Sequence, residues 1–449
     1  MQSRIHYRVM PVISLSIALL SLLLISSSTS VQGQALSSVD RDRGHVLLSE
    51  VKGDIKKNYY DPLYHGVDIE TRFKEADQQL DKATSLGQVF GIIAQAALSL
   101  NDSHTFFIPP SQTVSSDYGW LLQAIGNQCY VVAVKPGSDA ETKGLRPGDL
   151  VLSINGIAPQ REELWKLRYL YYQLRPQAGM HLVVRSPEGE ARELDVLAKV
   201  QTSKRTLDFT GMNGGSDIWN IIREAEKENQ LLRHRYTELG NDVFIWKMPS
   251  FDSNSDAVDE LLNKARHHKA LVLDLRGNSG GSELTLLDLI GRLFEKDVNV
   301  GTLKRRKESK PLVAKGSGQN AFTGKLVVLV DADSASAAEV FARVIQLEKR
   351  GIVIGDRTAG AVMRSRYHPH QMGMDVAVFF GISVTDADII MSDGNSLERN
   401  GVTPDEGVIP TAKALATNQD PVLSRAVALA DGKLDPQKAG NLFPREWAK

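Results

Sequence analysis

Between Tyr236 and about Pro410 the sequence repeats one pattern. Short runs of almost wholly apolar residues, "DVFIWKM", "ALVLDLRG", "KLVVLVD" and "GIVIGD", are separated by helical segments such as "SDAVDELLNKARHH" and "SELTLLDLIGRLFE". Runs rich in Val, Ile and Leu with no polar alternation belong to strands buried on both faces. Strands alternating with helices form parallel sheets covered by those helices. The expected fold class is therefore α/β (α+β in a multidomain chain), with a largely parallel core sheet over 233–412.

The rest of the chain differs in texture. Arg4, His6 and Arg8 precede the apolar run Pro11 to Ile25, and small and polar residues follow it. This is the layout of a secretory signal peptide over 1–33. The run is shorter than the roughly 20 residues needed to cross a bilayer, so cleavage is expected, with no stable membrane span afterwards. Retention as an anchor is the alternative. Residues 38–112 read as an N-terminal helical domain, with Asp61-Pro62 breaking one helix and Ser85 capping another. Over 115–200 strands and turns prevail, including the turn chemistry of "GLRPGD" ahead of "LVLSING". Residues 201–232 read as a linker and 413–449 as a C-terminal helical tail.

Lys plus Arg number 53 and Asp plus Glu 54, so no basic surface points to nucleic acid. Cys129 is the only cysteine, which excludes internal disulfides and thiolate metal sites. No His-Glu-x-x-His helix speaks for zinc. No cofactor or metal is expected, and a homo-oligomer remains open.

Chemistry concentrates in two loops. In "DSASAAEVFARV" the residues Ala337, Val340, Phe341 and Val344 share a helical face, so a helix begins near Ser336. Its free N–H groups favour negative charge there. A helix cap is the plain alternative for Ser334 or Ser336. In "LVLDLRGNSGG" a buried strand runs into Gly277, Gly280 and Gly281, which let backbone approach a ligand closely.

Together with "GDRTAG" and "NGVTPDEGV", these segments resemble the exported C-terminal processing peptidases and the related core of the tricorn protease. The segment "YVVAVKPGSDAETKGLRPGDLVLSINGIAP" resembles a PDZ domain. The resemblance implies a crotonase-like serine peptidase domain, with a PDZ-like β-rich module at 115–200. It places the nucleophile on Ser336, with one oxyanion N–H on Ala337 and the other on Gly281 or, alternatively, Gly280. The branch that uses a lysine base would need it at position 361, which is Ala361 here. The tricorn-like branch uses a histidine, which the match of "LNDSHTFF" places on His104, with Ser103 and Glu398 as supporting residues. In the PDZ-like module, Tyr118, Gly119, Trp120 and Leu121 fall where such domains bind a peptide C-terminus. The expectation is an exported serine endopeptidase, periplasmic or secreted, acting on protein or peptide substrates. The rival is an inactive peptide-binding scaffold on the same frame.

Overall fold

The computed structural model describes residues 36–110, 114–202, 233–252, 255–372 and 378–447. The signal segment and most of the linker lie outside the described residues. Three helices come first: α1 (Ser38–Asn58), α2 (Ile69–Leu80) and α3 (Leu86–Leu98). Each begins at a polar cap, with Ser37, Asp68 and Ser85 accepting a backbone N–H of the first turn. A short strand, β1 (Phe106–Ile108), ends this stretch.

Next come β2 (Val114–Asp117), β3 (Trp120–Ile125), β4 (Gln128–Val134), β5 (Leu150–Ile154), helix α4 (Leu164–Tyr169), β6 (Gly179–Arg185), β7 (Ala191–Leu197) and β8 (Lys199–Thr202). Strands β3 to β7 form an antiparallel sheet in sequence order, so β3 lies at its edge, and β2 pairs with β8. Cys129 is buried on β4.

The second half holds β9 (Arg235–Leu239), β10 (Val243–Lys247), α5 (Ser255–Ala265), β11 (Ala270–Asp274), α6 (Glu283–Gly291), β12 (Val298–Lys304), β13 (Ser309–Ala314), β14 (Lys325–Val330), α7 (Ala337–Leu347), β15 (Ile352–Gly355), β16 (Met363–Met372), β17 (Val378–Met391), β18 (Glu406–Gly407) and α8 (Pro421–Leu429). A six-stranded sheet runs in the order β18-β15-β14-β11-β10-β9. All its pairs are parallel except β9 with β10.

The apolar runs make this sheet two-sided. Phe244, Trp246, Leu271, Leu273 and Val328 pack under α5, α6 and α7. The intervening Val243, Ile245, Val272, Val327 and Leu329 meet Val422, Leu423, Ala426 and Val427 of α8 on the other face. Alternate side chains of a strand point to opposite faces, so an unbroken apolar run needs a cover on both.

A second sheet, β1-β17-β12-β13 with β16 on β17, joins the two halves. Phe106, Phe107 and Ile108 pair with Ser383, Ile382 and Gly381. One continuous apolar cluster runs from Leu47, Val51 and Phe73 of the helices, through Trp120, Val131 and Leu182, to Phe380, Ile382 and Val384 of β17. The front of the chain is thereby packed against the same sheet that borders the C-terminal half.

Candidate active site

The loops after β11 and β14 leave neighbouring parallel strands at their C-terminal ends, where open α/β sheets place their sites. Ser334 and Ser336 separate clearly. Ser334 is fully buried, donating to Leu275 O at 2.8 Å and accepting Asp331 N–H at 2.9 Å. Ser336 is half-buried and stands at the N-cap of α7, with Glu339 in the capping-box position three residues on. Its backbone sits at φ 55°, ψ −119°. Such a conformation in a non-glycine residue costs roughly 1–3 kcal/mol and persists only where its surroundings hold it. Two acceptors do so here: the Ser336 N–H donates to Ala361 O at 2.8 Å and to Glu339 Oε2 at 3.1 Å.

Glu339 lies one turn into α7 and is fully buried. It accepts from Thr358 Oγ1 at 2.5 Å, Gly360 N at 2.7 Å and Ala361 N at 2.9 Å, as well as from Ser336. Burial pushes its carboxyl up to about 7 against those donors. Its position in "DSASAAE" was visible in the sequence, but its partners were not.

The glycine loop differs from the serine loop in how its N–H groups are used. Gly280 (φ 97°) must lack a side chain, because a Cβ there would stand 2.6 Å from Ser336 Cβ. Its N–H is already taken by Asn278 Oδ1 at 2.8 Å. Gly281 (φ 137°) would clash with Asp252 N at 2.6 Å if it carried a Cβ. Among the described residues nothing accepts the Gly281 or Ala337 N–H. Of the two glycines, Gly281 is the one with a donor to spare.

Beneath this loop lies a buried ion network. Lys247 Nζ reaches Arg276 O at 2.5 Å and Asp274 Oδ1 at 3.2 Å, and Arg276 spans Asp274 and Asp420. Burial alone would raise the Asp274 carboxyl, but Arg276 and Lys247 hold it well below the usual carboxylate range. The Lys247 ammonium is thus committed to the loop.

On the other side of the site, Ser103, His104 and Glu398 are hydrogen-bonded together. Ser103 Oγ donates to Glu398 Oε2 at 2.8 Å and lies 2.7 Å from His104 Nδ1. Ser103 N–H donates to Glu398 Oε1 at 2.8 Å, and Val362 N–H to Oε2 at 2.9 Å. A hydroxyl has one proton. With that proton directed at the carboxylate, Ser103 Oγ accepts from His104 Nδ1–H, which leaves Nε2 as the basic nitrogen. Burial lowers the His104 imidazole while the Asp102 carboxylate opposes it. Burial raises the Glu398 carboxyl, opposed by the Val362 and Ser103 donors.

Segment 360–362 connects the two sides. Ala361 O holds Ser336 N–H, and the next residue donates to Glu398. Among the described residues no hydrogen bond joins His104 to Ser336 Oγ. Catalytic hydrogen bonds often tighten only when substrate is present.

The PDZ-like residues are mostly engaged. Tyr118 and Trp120 are buried, and the Tyr118 hydroxyl donates to Tyr171 O. Gly119 N–H donates to Asp117 Oδ1 at 3.0 Å, whose other oxygen pairs with Lys135. Leu121 pairs with Ala133 on β4. Edge strand β3 also faces the serine loop: Gln123 Nε2 reaches Asp331 Oδ2 at 2.6 Å. Arg168 of α4 bridges Leu122 O at 2.5 Å and Asp333 at 2.8 Å.

Comparison with known proteins finds likenesses of sequence and of fold. Residues 243–408 match the model of Peptidase family S41, and 130–165 match that of the PDZ domain. The tail-specific protease of Haemophilus influenzae is 24% identical over 418 residues, 86% of this chain and 56% of that protein. Carboxyl-terminal-processing peptidase 2 of Arabidopsis chloroplasts is 24% identical over 432 residues, 90% of this chain and 76% of that one. The chain thus spans little more than half the length of the Haemophilus relative. The crystal structure of mature CPAF superposes with a TM-score of 0.63 at 16% identity, covering 84% of this chain and 95% of that one, a likeness of fold. By these matches residues 243–408 are similar to Peptidase family S41 and residues 130–165 to the PDZ domain, and relatives named as C-terminal processing peptidases align over most of the chain.

Proposed function

We propose that this chain is an exported serine endopeptidase that hydrolyses peptide bonds through an acyl-enzyme on Ser336, with His104 as general base. The carrying observation is the hydrogen-bonded chain Glu398–Ser103–His104, tied through 360–362 to a serine in a strained N-cap conformation. His104 Nε2 takes the Ser336 proton as Oγ attacks the scissile carbonyl, then returns it to the leaving amine. The developing oxyanion is received by the N–H groups of Ala337 and Gly281, each such donor being worth about 3 kcal/mol. Water then attacks the acyl-enzyme by the same route in reverse. Glu398 and Ser103 orient the imidazole and fix its tautomer.

The PDZ-like module is assigned to gating as well as to binding a substrate C-terminus. Contacts from Gln123 and Arg168 to Asp331 and Asp333 support the first role. For the second, a substrate carboxylate must displace Asp117 from Gly119 N–H. Export rests on the sequence of residues 1–33. Among the described residues no helix is long and apolar enough to cross a membrane.

A fluorophosphonate probe tests the reading. Labelling is expected on Ser336, abolished in Ser336→Ala and reduced about a thousandfold or more in His104→Ala. Equal labelling in both variants and the parent chain would sink it. No labelling of the parent at any pH favours the inactive scaffold, to which Ala361 in place of a lysine and the "SAAE" stretch after Ala335 lend support.

A further inference from the structure

The turn that carries Ser103 and His104 opens with a third polar residue, Asp102, which the relay to Glu398 does not use. It is 4% exposed. Its Oδ1 accepts three donors: His104 N–H at 2.9 Å, Thr105 N–H at 2.7 Å and Thr385 Oγ1 at 2.7 Å. Thr105 Oγ1 in turn donates to Thr385 Oγ1 and accepts Thr385 N–H, both at 3.1 Å. One carboxylate oxygen therefore pins the base-bearing turn to β17.

The other oxygen has a different situation. Asp102 Oδ2 is buried; the Tyr59 hydroxyl faces this carboxylate as a donor, short of a hydrogen bond of full geometry. No Lys or Arg among the described residues pairs with this carboxylate. A buried charge without a counterion is unfavourable unless it serves a nearby group. An asparagine would supply the same Oδ1 acceptor without that penalty, so pinning alone does not account for an aspartate.

The groups facing Asp102 identify what its charge acts on. Tyr59 closes α1, and burial followed by the Asp102 charge pushes its phenol far up. Tyr60 follows, pushed up by burial and then by Asp388 and Asp102. Its hydroxyl lies 2.7 Å from His65 Nε2, and His65 Nδ1 is 3.1 Å from Leu100 O. Asp61 binds the His65 N–H. Glu398 comes from the turn after β17, and its carboxyl is raised by burial and, further, by Asp102. The two phenols and the Glu398 carboxyl resist a negative neighbour, whereas an imidazole gains from one on protonation. At His104 the Asp102 carboxylate opposes the effect of burial.

We propose that Asp102 is a positioning residue of the site, holding the His104 turn on β17 through Oδ1 and stabilising through its charge the imidazolium formed when His104 takes the Ser336 proton. This rests on the reading of His104 as the base. The charge on Asp102 and that on Glu398 then have separate tasks. Glu398 sets the tautomer through Ser103, and Asp102 sets how readily Nε2 takes a proton.

Asp102→Asn separates pinning from charge. Histidine-ring NMR is followed against pH in the full chain carrying Ser336→Ala, with His104 assigned by loss of its signal in His104→Gln. The expected result is a fall of about one unit in the His104 midpoint, while the signal of the exposed His181 stays as in the parent. In the active chain the acid limb of the kcat/KM profile moves to lower pH by the same amount. A folded Asp102→Asn with an unmoved His104 midpoint overturns the proposal, even where activity falls. If Asp102→Asn does not fold, Thr385→Val removes one Oδ1 donor and leaves the charge less compensated. The midpoint must then rise, and an unchanged or lower value overturns the proposal. Because the titration is read without turnover, it fails or succeeds independently of Ser336 labelling, which tests the peptidase reading itself.

Discussion

The two sides of the candidate site are built in opposite ways. The serine side comes from loops after adjacent parallel strands, and its backbone is held by Ala361 O and by a carboxylate three residues away, Glu339. The histidine side is assembled from segments 295 residues apart, where Ser103 meets Glu398. The first arrangement is rigid because its parts share one sheet and one helix. The second depends on docking the front of the chain onto β17 through three residue pairs of β1. Geometry at Ser336 is therefore set largely within one sheet and its loops, and geometry at His104 by tertiary docking.

Three substitutions sharpen this contrast. The largest effect is expected for Gly280→Ala. Its Cβ would stand 2.6 Å from Ser336 Cβ at a φ of 97°, so labelling of Ser336 should slow by about a thousandfold, the upper range for disrupted oxyanion geometry. A labelling rate within tenfold of the parent would show the serine loop to be more yielding than its contacts suggest.

Next is Glu339→Gln, read as stability against pH. A carboxyl raised from about 4.5 to about 7 by burial binds its proton more tightly folded than unfolded. Its contribution is full below about 4.5 and is lost as pH rises through about 7, a change on the order of 3 kcal/mol. In urea unfolding, the difference between the parent and Glu339→Gln should vary by that amount between pH 4.5 and 8. A constant difference would mean that the four donors cancel the burial.

The smallest effect is expected for Ser103→Ala, which breaks the link from His104 Nδ1 to Glu398 while leaving both in place. The rate of Ser336 labelling should fall about 10- to 100-fold, in the range seen when an orienting partner is removed, with unfolding midpoints within about 0.5 kcal/mol of the parent. A loss as large as that of Gly280→Ala would mean that the histidine side is as unforgiving as the serine side.

The same contrast explains what was legible in the sequence. Strand runs such as "ALVLDLRG" state their burial on both faces outright, and the two-sided sheet follows from them. The loops after β11 and β14 carry their chemistry in contiguous letters. The choice between Gly280 and Gly281 was open, because it turns on a side-chain bond from Asn278 that spacing does not encode. Asp102 went unremarked although it adjoins Ser103, since its meaning depends on Thr385, 283 residues away. His268 ends the charged run "NKARHH", yet its ring lies 5.4 Å from that of Phe244, a contact made by a neighbouring strand. The "YGWL" residues matched a binding loop in order, but the burial of Tyr118 and Trp120 is set by the helices packed behind them.

The short pairing of β1 with β17 has a temporal consequence. A ribosome releases the histidine-bearing turn first and Ser336 next, and only afterwards the strand that anchors that turn, followed by Glu398. A half-made chain therefore holds His104 without Ser336, or both without the strand and the carboxylate that fix the turn, and the candidate site is complete only once the last segments have closed on the first.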